Sequence, residues 1–151
     1  MRVSAEGIAA IIAFEGLRLQ PYNDVAGYAT IGVGHLIAKR RVTEADIKNY
    51  AKFKREDAVN LFRDDLVCFE KGVSKIIGAV SQNQFDAMVS LAYNIGLGNF
   101  GKSSVVKRLK RGDVAGAGNA FLLWNRAGGK VIAGLTKRRE SERTMFLRGD
   151  A

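Results

Sequence analysis

Cysteine, proline and histidine are almost missing: the 151 residues hold one of each, Cys68, Pro21 and His35. One cysteine excludes an internal disulfide, so folding needs no oxidising compartment and fits synthesis in a cytoplasm. In "DDLVCFEKGV" Cys68 reads as a small buried hydrophobe on a helix rather than a nucleophile, with no histidine near it in sequence. One proline leaves no proline-rich linker, and no repeat or low-complexity stretch divides the chain, which reads as a single domain over 1–151. One histidine is no metal site, and neither a metal nor a cofactor is expected. Long hydrophobic runs are absent too. The longest, "GIAAIIAF" from Gly7 to Phe14, is too short to span a bilayer and is followed by an acid. The first residues lack a basic region followed by a cleavable apolar core, so a signal peptide and unaided export are not predicted.

Acids are the other scarce class. Aspartate and glutamate number 15 against 24 lysines and arginines, a net charge of +9. Such a surface attracts polyanions: nucleic acid, acidic lipid headgroups or an anionic cell envelope. The basic runs are "KRR" at 39–41, "KRLKRGD" at 107–113 and "TKRRESER" at 136–143. The last alternates with acids and reads as a solvated helix face.

"SAEGIAAIIAFEG" spaces Ile8, Ile11 and Ile12 on one helical face and stops at Gly16. From Arg18 to Leu36 the pattern changes. Pro21, Asn23, Asp24 and Gly27 are turn formers, and "GYATIGVGHLI" reads as short strands of a hairpin or small sheet. Its glycines suit places where backbone comes close to something else. Helices follow. Thr43 and Asp46 open one near capping-box spacing. "KREDAVNLFRDDLVCFEKGVSKIIG" aligns Val59, Phe62, Leu66, Phe69 and Val73 on one face. Ser81 and Gln84 cap a third, which ends at Gly96. "SSVVKRLKRG", "DVAGAGNAFLLW" and "LTKRRESERTMFLRG" are further helices, with "NRAGGKVIAG" a loop and Gly149 the final stop. Phe121 and Trp124 read as anchors of the helical core. The layout is α+β: a small N-terminal sheet lobe, a larger helical C-terminal lobe and a cleft between them.

Glu15 and Asp24 lie nine residues apart, with a helix end and a turn between, and Thr30 follows six residues on. Two carboxylates facing one gap can cleave a glycosidic bond when one donates a proton to the leaving oxygen and the other stays ionised. Glu15, at a helix C-terminus and partly buried among Ile11, Phe14 and Leu17, would keep its proton through desolvation and the helix dipole. Asp24, in a turn among backbone N–H groups, would stay charged. The Thr30 hydroxyl would hold a water. Any two acids nine apart are common, so spacing alone fits surface acids with no role better than a catalytic pair.

The longer string "FEGLRLQPYNDVAGYATIGVGH" resembles the catalytic region of the phage-type lysozymes, the endolysins of T-even and lambdoid phages (glycoside hydrolase family 24). Glu15, Asp24 and Thr30 match that family's triad at its spacing. Gly16, Arg18, Leu19, Tyr22, Gly27, Ile31, Gly32, Gly34 and His35 match its frame. The likeness continues in "QFDAMVSLAYNIGLGNFGKSSVVKRL" and "WNRAGGKVIAGLTKRRESERTMF", so it covers nearly the whole chain. Two departures, Ala133 for a frequent proline and Leu17 for a frequent cysteine, leave the triad untouched.

The resemblance implies a lysozyme-like fold and a muramidase that hydrolyses the β-1,4 bond between N-acetylmuramic acid and N-acetylglucosamine in peptidoglycan. Glu15 would be the general acid, Asp24 would activate a water with Thr30, and the outcome would be inversion. Asn94, Gly96 and Phe100 would line the sugar cleft, although "NIGLGNF" equally reads as a helix stop and a turn. His35 would bridge sheet and helix, paired with Asp65 by analogy with "LFRDDL", or stay a neutral satisfied histidine. Arg138 would return near Glu15, or be a solvated arginine. A monomer is expected, synthesised in the host cytoplasm and acting on peptidoglycan in the periplasm. Without signal or anchor, release would need a separate holin, and a lone domain without a wall-binding module points to a Gram-negative host. The rivals are a lytic transglycosylase, which needs the acid but no water-holding pair, a scaffold that has lost catalysis, and a basic nucleic-acid-binding domain. The last lacks zinc spacing, a glycine loop or a recognition-helix motif.

Overall fold

The first helix starts where Ser4 turns back on itself: its Oγ accepts the Gly7 N–H at 3.0 Å, an N-cap bond that satisfies one of the open donors of α1 (Ala5–Glu15). Two buried acids fasten the segment before it. Glu70 accepts the Val3 N–H at 2.6 Å and Arg2 Nε at 2.7 Å. Asp86 accepts the Ser4 N–H at 3.1 Å and the Ser4 hydroxyl. Gly7 is the one residue that fits here, since a Cβ would sit 2.6–2.7 Å from Val3 and the Asp86 carboxylate. At the far end Gly16, at φ +80°, donates its N–H to Ile12 O at 2.8 Å and stops the helix.

The computed structural model describes residues 1–149. These group into two compact units, one over Ala9–Val67 and one formed by the first eight residues with those from Cys68 onward. The boundaries fall inside α1 and α3 (Arg55–Ile77).

The unit over 9–67 holds a three-stranded antiparallel sheet in the order β1 (Arg18–Asn23), β2 (Ala29–Gly32), β3 (His35–Ala38). β2 lies in the middle and is buried along its whole length. Ile31, Ile11, Ile12, Phe62 and Leu66 are buried core residues of this unit. β1 occupies a stretch that reads as turn in the sequence. Its register explains why: between Arg18↔Gly32 and Tyr22↔Thr30, β1 takes four steps while β2 takes two. The extra residues form a bulge on an edge strand, where Pro21 has no ladder bond to lose. Gly32 and Gly34 serve the β2–β3 turn through positive φ (+66° and +69°). A Cβ at Gly32 would meet Ala58 and Phe53 no closer than 3.7 Å.

α2 (Glu44–Asn49) opens on the Thr43/Asp46 capping box. Arg40 forks onto Asp46 at 2.7 and 3.1 Å, and the Thr43 N–H reaches the same carboxylate at 2.9 Å. The guanidinium and the N–H groups hold the Asp46 carboxyl well below the usual carboxylate range. On α3, Phe62 and Leu66 are buried and Val59 half-buried, as the periodicity predicts. Cys68 is exposed, contrary to expectation. Two residues beyond Leu66 is roughly 200° around the helix, which turns it off the buried face.

In the other unit, α4 (Gln82–Ile95) starts at the Ser81/Gln84 capping box and buries every residue from Phe85 to Ala92. Such a helix belongs inside its unit. It lies against α8 (Ala133–Leu147), with α5 (Leu97–Lys102), α6 (Ser104–Lys110), α7 (Val114–Ala120) and a 3-10 turn (Phe121–Leu123) completing the shell. Phe121 is fully buried, its ring 5.2 Å from that of Phe146, while Trp124 is half-buried. "NRAGGKVIAG" is more than a loop: β4 (Arg126–Ala127) and β5 (Lys130–Val131) pair across a Gly128–Gly129 turn.

The "TKRRESER" run also departs from its expected solvated character. Arg138, Arg139 and Glu142 are buried. Glu142 lies 3.3 Å from Arg138 Nε and 2.8 Å from Arg139 Nε, and accepts the Ser90 hydroxyl at 2.5 Å. Burial pushes the Glu142 carboxyl up, opposed by the two guanidinium groups and the Ser90 hydroxyl. On a helix, i, i+3 and i, i+4 partners share a face, and here that face turns inward.

Two outcomes follow from these charges. Glu142→Ala leaves two buried cations without their acid and is expected to cost about 3–5 kcal/mol in urea unfolding, with Lys137→Ala nearly neutral. Asp46 has a lowered folded-state pKa, so its contribution is complete above the unfolded value of about 4 and fades as pH falls toward the folded one. Asp46→Asn is therefore expected to lower Tm at pH 7 and to converge on wild type in acid.

Candidate active site

Thr30 and Asp24 meet at one backbone oxygen. The Tyr28 carbonyl accepts the Asp24 N–H at 3.0 Å and the Thr30 hydroxyl at 2.8 Å. The loop between them closes on the Asp24 side chain, whose Oδ1 accepts the N–H groups of Ala26 at 2.9 Å and Tyr28 at 2.8 Å. Aspartate is suited to such a turn because its short side chain reaches the N–H two residues on. Gly27, at φ +82°, lets the loop bend and returns its own N–H to Asp24 O at 2.9 Å. Asp24 is half-buried and Thr30 only 4% exposed, on the central strand opposite Tyr22 and Leu36. Tyr28, the link between the two, acts through its carbonyl, so no side-chain motif announces it.

Glu15 ends α1, with Gly16 turning the chain into β1, which leads straight to Asp24. The expected burial of Glu15 is not what the structure shows. Glu15 is exposed, as is Gly16, and Leu17 and Phe14 are half-buried. At i+7, i+4 and i+3 from Ile8, Ile11 and Ile12, Glu15 shares their face of α1, and it is exposed as the last residue of the helix, beside the exposed Gly16. Arg18 stacks its guanidinium 4.5 Å over the Tyr22 ring, which gives this cation a partner on its own strand.

His35 Nδ1 lies 2.8 Å from Asp65 Oδ2, joining β3 to α3 as the sequence reading expected. The other candidate residues belong to the helical unit. Asn94 is exposed near the end of α4, its Oδ1 accepting Arg139 Nη2 at 2.9 Å. Gly96, at φ +90°, joins α4 to α5. Phe100 is fully buried on α5, which leaves its ring no surface for a sugar. Arg138 is buried too, against Glu142 and the Ser90 carbonyl, the latter at 3.3 Å. A groove of about 410 Å³ in the sheet unit is lined by the β1 bulge and α2, including Leu19, Pro21, Ile47 and Tyr50, and by none of the three triad residues. Among the described residues no cluster of three or more His, Cys, Asp or Glu could hold a metal ion, and no helix is long and apolar enough to cross a membrane.

A helix ending in an acid, followed by a sheet whose first hairpin presents an aspartate and a threonine, is a lysozyme-like arrangement. The muramidase domain of SpmX from Asticaccaulis excentricus superposes with a TM-score of 0.80 at 36% identity, over 98% of this chain and 99% of that one. The family model described as Phage lysozyme matches residues 12–142, and the chain belongs to that family. It is 44% identical to the endolysin of Bacillus phage B103 over its whole length, and 36% identical to the endolysin of Salmonella phage P22 over 97% of this chain and 99% of that one. The chain spans 56% of the B103 endolysin.

The shared carbonyl makes a structural prediction. Thr30→Val keeps the shape and removes one of the two donors to Tyr28 O, with an expected loss of about 1 kcal/mol in thermal unfolding. Thr30→Ser should restore most of it.

Proposed function

We propose that the chain is the catalytic part of an endolysin, a muramidase that hydrolyses the β-1,4 bond between N-acetylmuramic acid and N-acetylglucosamine in peptidoglycan. The observation that carries this reading is the Asp24–Tyr28–Thr30 loop in a chain of the phage lysozyme family. With Oδ1 committed to Ala26 and Tyr28, Asp24 keeps Oδ2 for a water. With its hydrogen on Tyr28 O, the Thr30 oxygen is an acceptor for that same water. Asp24 takes one proton of that water as its oxygen attacks the anomeric carbon, while the Thr30 oxygen accepts its other hydrogen, which is the base half of an inverting hydrolysis. Glu15 supplies the acid half and protonates the leaving oxygen. Glu15 is exposed in the free chain, so the glycan covers it on binding. His35 and Asp65 tie the sheet to α3 and keep β2 in place. The partner is the glycan strand, reached in the periplasm after holin-dependent release from the host cytoplasm.

A lytic transglycosylase has no use for a water held by two acceptors, and a nucleic-acid-binding domain has no use for the loop at all. The distinguishing experiment is lysis of outer-membrane-stripped cells, with released muropeptides weighed by mass spectrometry. Wild type is expected to give products with a hydrated reducing end. Glu15→Gln should abolish lysis, and Asp24→Asn should reduce it by a factor on the order of 10² or more. Products lighter by one water would replace the hydrolase reading with the transglycosylase one.

A further inference from the structure

The β4–β5 hairpin has no part in the site above, yet it is built with care and left uncovered. Both residues of its Gly128–Gly129 turn have positive φ (+59° and +77°), the condition for a tight two-residue hairpin. The Ile132 N–H closes the base on Asn125 O at 2.9 Å, and Asn125 Nδ2 ties that base to Thr136 Oγ1 at 3.1 Å. Register sets Arg126 across from Val131 and Ala127 across from Lys130, so each face pairs a cation with an apolar residue. All four are exposed. Leu123 and Ile132 flank the base at 63% and 41% exposure, and Val131 stands at 54%. No acid occurs from Val114 to Arg139. Arg138 and Arg139 are held by Glu142, which leaves Arg126, Lys130 and Lys137 as the exposed cations of that stretch.

We propose that this hairpin, with Leu123 and Ile132 at its base, docks the protein onto an anionic lipid surface. A polyanion such as nucleic acid is satisfied by the cations and gains nothing from three exposed aliphatic side chains. A bilayer surface uses both: aliphatics enter the boundary between headgroups and acyl chains, while lysine and arginine remain among the phosphates. The proposal stands independently of the wall-cleaving reading, because a lipid-docked hairpin needs neither Glu15 nor Asp24.

Trp124 is the sole tryptophan and adjoins the hairpin, so it reports docking without a label. The test titrates the whole chain with vesicles of phosphatidylglycerol and phosphatidylcholine, or of phosphatidylcholine alone, following co-sedimentation and Trp124 emission. Binding with a blue shift is expected on the anionic vesicles only. Lys130→Gln should weaken it about fivefold. Val131→Ser with Ile132→Ser should weaken it about tenfold and remove the blue shift, with Tm and Glu15-dependent lysis unchanged. Lys107→Gln with Lys110→Gln, an equal or larger charge change on α6, should leave the blue shift in place. Co-sedimentation without any emission change, lowered by the α6 pair and not by the serine pair, would reduce the effect to net charge and overturn the proposal. Retention on purified peptidoglycan sacculi with none on vesicles would overturn it in favour of the wall polymer.

Discussion

Carboxylates that accept backbone N–H groups hold the described structure in place at one junction after another. Glu70 and Asp86 take the N–H groups of Val3 and Ser4 and fasten the segment that leads into α1. Asp46 takes that of Thr43 and fixes the entry to α2. Asp24 takes two and closes the loop that carries Thr30. An ionised acid is a strong acceptor, and its hydrogen bonds are worth roughly twice those of a neutral group. A chain with so few acids places them where backbone would otherwise lack partners.

The same economy shapes the site. Glu15 and Asp24 both stand apart from the basic runs, but for different reasons. Asp24 is held by the N–H groups of its own loop. Glu15 is set by where α1 stops and lies exposed there. The Tyr28 carbonyl then couples the strand residue Thr30 to the loop residue Asp24 through a single oxygen.

Much of this was legible beforehand. The caps at Thr43 and Ser81, the glycine stops at Gly16 and Gly96, and the α3 face follow from local rules with local causes. The three motif residues were legible as a pattern, and His35 met Asp65 as expected. What escaped has non-local causes. β1 runs through Pro21 because the edge of a sheet forgives a missing N–H. α5 continues beyond Gly96 where "NIGLGNF" looks like a stop and a turn. Arg138, Arg139 and Glu142 look solvated by alternation, and only the helix packed against them makes their face an interior.

The sequence by itself determined where the capped helices α2 and α4 start and where α1 and α4 stop, which residues form the acid–aspartate–threonine pattern, and the sign of the surface charge, because capping, turn chemistry and composition act over a few residues. Tertiary structure alone decided which charges are buried, that Phe100 belongs to the core, that Glu15 lies outside, and that a short hairpin is left uncovered. Burial is a property of what packs against a residue, and that is settled only when distant segments meet.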